Sequence, residues 1–97
     1  MANKHKSLVS IELDRARKIR YTLNALAEIE EKLGVKLDQL DKFEMGIKEL
    51  RTFLWAGLIH EDAELTEHEV GNLVDFDNME YINQKITEAF QSATGKN

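Results

Sequence analysis

Apolar residues change their spacing along this chain, and each spacing predicts an element. Over residues 8–13, Leu8, Val9, Ile11 and Leu13 stand beside Ser10 and Glu12 in the partly alternating pattern of a short strand. Asp14, Arg15 and Ala16 supply a turn, and residues 17–22 read as a return strand with Ile19 and Tyr21 on one face. Residues 7–22 are thus expected to form a β-hairpin, although the turn lacks the Asn-Gly or Asp-Gly of the firmest hairpins. A lone hairpin is marginal in water, so it must lie on helices or gain strands from another copy.

The period becomes helical after Thr22. Leu23, Leu26, Ile29 and Leu33 predict the buried stripe of a first helix, capped by Thr22 and stopped by Gly34. Residues 35–43 read as a connector or short helical turn, with Leu37 and Leu40 inward. The main helix is predicted over 44–59, where Leu50, Phe53, Leu54, Gly57 and Leu58 recur at three- and four-residue steps. A helical Gly costs roughly 1 kcal/mol relative to Ala, so Gly57 points to close approach by another backbone.

Residues 60–65 are expected as a loop. A short helix then spans 66–74, opened by Thr66 and Glu69 at capping-box spacing. Asp77 is expected to start the last helix, with Glu80 three positions on. Its stripe is Met79, Ile82, Ile86 and Phe90, supplemented by Ala89 and Ala93, and residues 92–97 are expected to fray into a tail. The fold class is mainly α (α+β): an N-terminal β-hairpin followed by about four helices in a single small domain over 1–97, with 23–91 as the helical part.

Composition narrows the setting. The 97 residues are 42% apolar and 32% charged, which fits a globular domain with a modest core. Cysteine and proline are both absent. Disulfides and thiolate metal sites are thereby excluded, and an intracellular home is expected. The basic N-terminal residues precede no apolar run long enough for a signal peptide, and no segment approaches the length of a membrane span. A soluble cytoplasmic protein without membrane contact is expected.

The net charge of −5 is unevenly spread: residues 1–22 hold six Lys or Arg against two acids, and the remainder seven against sixteen. That acidity argues against general nucleic-acid binding, which draws on phosphate neutralisation. The basic start could touch an acidic partner, or could simply guard the hairpin edge.

Candidate chemistry is sparse. His60, Glu61, Asp62, Glu64, Glu67, His68 and Glu69 are metal-ligand types, but the two histidines stand eight apart, unlike the H-E-x-x-H pair. A solvated acidic loop leading into a capped helix accounts for them. Ser7, Ser10 and Ser92 sit in no G-x-S-x-G elbow, and the glycines build no phosphate loop. No catalytic residue, cofactor or metal is assigned, and a non-enzyme is expected.

The segment LTEHEVGNLVD with the helix after it invites comparison with a DNA-binding helix-turn-helix. Its second helix would then offer Glu80 and Glu88 against a single Lys85, where a recognition helix should meet phosphate. Apolar surface is the remaining candidate. Phe53, Trp55, Leu58, Ile59, Ile82, Ile86 and Phe90 are candidate partner contacts, forming a groove for a partner helix or for self-association. Burial of both faces of the central helix inside the domain is the competing explanation, and Trp55 is its test.

Three ordered pieces carry a resemblance: IELDRARKIRYTLNALAEIEEKLG, then LRTFLWAGLIHED, then LTEHEVGNLVD. Within them lie an Arg-containing strand pair running into N-A-L-x-E-x-E, then L-x-x-x-L-W-A-G-L and L-T-x-x-E-V-G-x-L-V-D. Over residues 11–76 the chain resembles the tail assembly chaperones of long-tailed phages and prophages, especially those infecting Gram-positive bacteria, and the related gene-transfer-agent tail proteins.

The resemblance implies a non-enzymatic partner of the tape-measure protein, a long helical client kept soluble until tail-tube subunits polymerise around it. It also implies residence in the host bacterial cytoplasm, absence from the mature virion, and a short form that ribosomal frameshifting can extend. Homo-oligomers could arise by pairing of hairpins. A structural minor tail or head–tail connector subunit is the alternative, and a helix-turn-helix regulator the third reading.

Overall fold

Side chains alternate across a strand, so a two-stranded ribbon with one covered face must bury every second residue. The computed structural model describes residues 8–36, 38, 39 and 46–94. Strand β1 (Val9–Glu12) pairs antiparallel with β2 (Ala16–Ile19), with Val9 opposite Ile19 and Ile11 opposite Arg17. Ile11, Arg17 and Ile19 are buried on the inner face, and Tyr21 continues it, while Ser10, Glu12, Lys18 and Arg20 are exposed. The turn is closed by the Leu13 amide, which donates to the Arg15 carbonyl at 3.0 Å.

Among the described residues four helices follow in the single small domain: α1 (Leu23–Leu33), α2 (Ile47–Leu58), α3 (Glu67–Gly71) and α4 (Met79–Thr94). Thr22 caps α1 by accepting from the Ala25 amide, and Gly34 ends it at φ 70°, the left-handed geometry that suits glycine. The α1 stripe differs from the one predicted. Ile29 is buried as predicted and Leu26 and Leu33 pack at the core's margin, but Leu23 is 83% exposed and Ala25 is buried in its place. The small Ala25 side chain lets α1 lie close against the body, and that turns Leu23 outward.

Helix α2 is the hub, packing against α1, β2, α3 and α4. Leu50, Thr52, Phe53, Leu54, Ala56, Gly57 and Leu58 are all buried, so both its faces are covered. Gly57 behaves as its sequence position suggested: its carbonyl accepts from the Arg20 amide at 2.9 Å. A Cβ there would stand 2.5 Å from Ile19 Cγ2.

Helix α3 opens with the full capping box, the Thr66 hydroxyl taking the Glu69 amide and the Glu69 carboxylate taking the Thr66 amide. It is shorter than predicted, ending at Gly71. Helix α4 begins at Met79, and the reciprocal bonds at its entry belong to Asp75 and Asn78, not to Asp77 and Glu80. The Asp75 carboxylate accepts from the Asp77 and Asn78 amides at 2.9 and 3.2 Å, and the Asn78 side chain takes the Asp75 amide at 2.8 Å.

Ile82, Ile86 and Ala89 form the buried stripe of α4, and Met79, Phe90 and Ala93 pack at its margin. The helix continues through Thr94, so residues 92–94 are helical where a frayed tail was expected. Leu37, Leu40, residues 41–45 and residues 95–97 lie outside the described residues. Among the described residues, no helix is long and apolar enough to cross a membrane.

Candidate partner-binding surface

Once the hub helix has its neighbours, most of the seven candidate contacts are already committed. Phe53 (4% exposed), Leu58 (0%), Ile82 (0%) and Ile86 (2%) are core residues and present no surface to a partner. The reason is size: a domain this small spends its most apolar positions on its own interior first. Trp55, Ile59 and Phe90 are half-buried at the margin.

Phe90 belongs to an edge-to-face trio with Tyr21 and Phe53, with ring centroids 5.7 to 6.3 Å apart. Inside the trio the Tyr21 hydroxyl donates to the Phe53 carbonyl at 2.6 Å, and burial pushes its pKa far above the ordinary 10.0. Trp55 is anchored as well as partly exposed. Its indole N–H donates to the Leu65 carbonyl at 2.8 Å, and Lys32 Nζ lies 5.0 Å from its ring centre.

The acidic loop after α2 is spent on tying elements together. His60 Nε2 donates to the Lys18 carbonyl at 2.8 Å, and the Glu61 carboxylate accepts from the Lys18 amide at 3.3 Å. These bonds and the Arg20–Gly57 link engage Lys18 and Arg20 on the outer edge of β2.

Glu67 takes the Thr52 hydroxyl at 2.6 Å and pairs with Lys32 at 3.4 Å. Among the described residues, no group of three or more His, Asp or Glu side chains converges as a metal ion would require. A hollow of about 350 Å³ is lined by Asp14, Asp62, Glu64 and Glu69 together with Arg17.

Arg17 is a buried charge on the same strand face as Ile19 and Tyr21. Its guanidinium meets Asp14 in a fork, Nε to Oδ1 at 2.9 Å and the second nitrogen to Oδ2 at 3.1 Å. Asp62 stands 3.7 Å from its remaining nitrogen, which has no hydrogen-bond partner among the described residues. The hydrogen bond from Arg17 holds the Asp14 carboxyl below its ordinary 3.8, and the same bond raises the Arg17 pKa.

On α4, the one cation weighed for DNA contact is engaged within its own helix. Lys85 pairs with Glu88 at 3.8 Å and lies 5.8 Å from the centre of the Tyr81 ring.

Exposed apolar surface sits elsewhere. Leu23 (83% exposed), Ile47 (70%) and Phe76 (89%) are the large apolar side chains left in solvent among the described residues. Sequence reasoning missed them for separate reasons. Leu23 fits a helical stripe on paper, Ile47 opens a helix whose stripe starts one turn later, and Phe76 stands between Asp75 and Asp77, outside any period. Comparison with known protein families, curated proteins and solved structures found no match.

Proposed function

We propose that the protein is a phage or prophage tail assembly chaperone, a non-enzymatic subunit that holds a helical tape-measure protein in solution during tail assembly. The observation that carries this reading is the ordered resemblance over residues 11–76. Its three pieces coincide with consecutive structural units: the hairpin with α1, the hub α2, and the capped α3. The reading is also supported by Leu23, a large apolar side chain left in solvent on an otherwise charged exterior, the surface a helical client needs. Client contact falls to Leu23, Trp55, Ile59 and Phe90, since Phe53, Leu58, Ile82 and Ile86 are enclosed. Several copies along one extended client would add avidity to weak single contacts.

The test is co-expression with a tape-measure protein of a long-tailed phage, followed by solubility and pull-down assays. Solubilisation with a stable complex is expected, together with absence of this chain from purified particles. A client that stays insoluble beside a well-folded partner would sink the proposal. Retention in the particle would put the connector or minor tail subunit in its place.

A further inference from the structure

Two hollows adjoin at the start of α2. The first, about 270 Å³, lies between α2 and α3, and its walls include Val74, Arg51 and His68. The second, about 460 Å³, lies between the starts of α2 and α4, with Phe76 and Glu80 in its wall. Ile47, Leu50 and Met79 line both and form the saddle between them.

The face is thus apolar along its middle, basic at one end and acidic at the other. It also carries a knob. Phe76 is 89% exposed and sits on a turn fixed by the Asp75–Asn78 bonds, with the Asn78 amide group also donating to the Leu73 carbonyl at 3.0 Å. Such a side chain is held out at little ordering cost on binding.

We propose that this face binds a second copy of the chain across a two-fold axis passing over the saddle. A two-fold axis lying in an interface sets each end of a patch against the opposite end of the same patch on the partner. Here that operation does two things together. Phe76 of each copy enters the other's α2–α3 hollow, and Arg51 with His68 meets the other's Glu80. Neither Arg51 nor Glu80 belongs to an ion pair among the described residues. An unrelated apolar helix would fill the hollows equally well, but it gives no reason for opposite charges at opposite ends of a self-complementary face. This inference stands apart from the chaperone reading and uses none of the residues assigned to the client.

Sedimentation velocity on the full chain, from micromolar to millimolar concentration, tests it. A monomer–dimer equilibrium that weakens with added salt is expected. Phe76→Ser should give a monomer with an unchanged thermal melt, because the ring contributes to no core. Arg51→Glu and Glu80→Arg should each weaken the dimer several-fold, and the double variant should recover it, since the charges are then exchanged across the axis.

A monomer at every concentration overturns the proposal. So does a dimer indifferent to Phe76→Ser, or a double variant no better than either single one. Loss of client binding in Phe76→Ser with self-association intact would give the face to the client instead.

Discussion

Gly57 shows how a single absent carbon sets a packing distance. On helix propensity alone, Gly57→Ala should stabilise α2 by about 1 kcal/mol. The added Cβ, however, would meet Ile19 Cγ2 at 2.5 Å and the Tyr21 ring at 3.2 Å. Overpacking of this kind costs about 1 to 3 kcal/mol, so a net loss in urea denaturation is expected, and a gain would show that the hairpin can retreat.

At the turn, Asp14 titrates below 3.8 in the folded chain because Arg17 bonds its charged form. Its contribution is therefore present above pH 3.8 and lost as pH falls through the lowered folded value. Asp14→Asn should flatten the acid limb of the stability profile, and an unchanged limb would mean that the fork is absent in solution. Asp14→Ala, which strips Arg17 of its fork, should destabilise more than Arg17→Met, which removes the buried charge itself. Equal losses would count against the buried placement of Arg17.

Among the elements, those set by local chemistry were legible in the sequence. The Thr22 and Thr66 caps, the Gly34 stop and the α4 stripe each follow from residues within a few positions of one another, and each stands where predicted. Features set by tertiary neighbours were not legible. The buried face of α1 is chosen by its contact with α2, so Ala25 displaces Leu23. Arg17 shares the inward face with Ile19 because the strand period demands it, and acids on the turn and on the loop after α2 then make it tolerable. Four of the seven candidate contacts, Phe53, Leu58, Ile82 and Ile86, are core for the same reason: apolar periodicity marks what can be buried without saying by whom.

The hairpin's second attachment was equally silent in sequence. The Tyr81 hydroxyl accepts the Glu12 amide at 2.9 Å, across 69 positions. Tyr81→Phe should cost about 1 kcal/mol. Amide exchange should quicken at Glu12 while the α2 core stays protected, and uniform quickening would instead make hairpin and helices one cooperative unit.

For the whole molecule, Trp55 is the residue where fold and partner compete. It is half-buried and anchored through Leu65, so Trp55→Ala should cost about 3 kcal/mol, the lower end for a large aromatic. Denaturation monitored by circular dichroism measures that loss, and client pull-down at a temperature where the variant is folded measures the contact. An unaltered melt would move Trp55 wholly to the surface.

The sealing of β2 by Gly57, His60 and Glu61 has a consequence for how the chain is made. Synthesis delivers the N-terminus first, and the two strands are complete once residue 19 has left the ribosome. The groups that cover Lys18 are encoded 42 and 43 positions later. Throughout that interval the growing polypeptide carries an apolar ribbon with an open hydrogen-bonding edge, the feature most prone to pair with a neighbour on the same message. The interval before residues 57–61 have left the ribosome is thus the ribbon's most exposed moment, and a pause that holds the chain there should cost more soluble product than one placed after they have emerged.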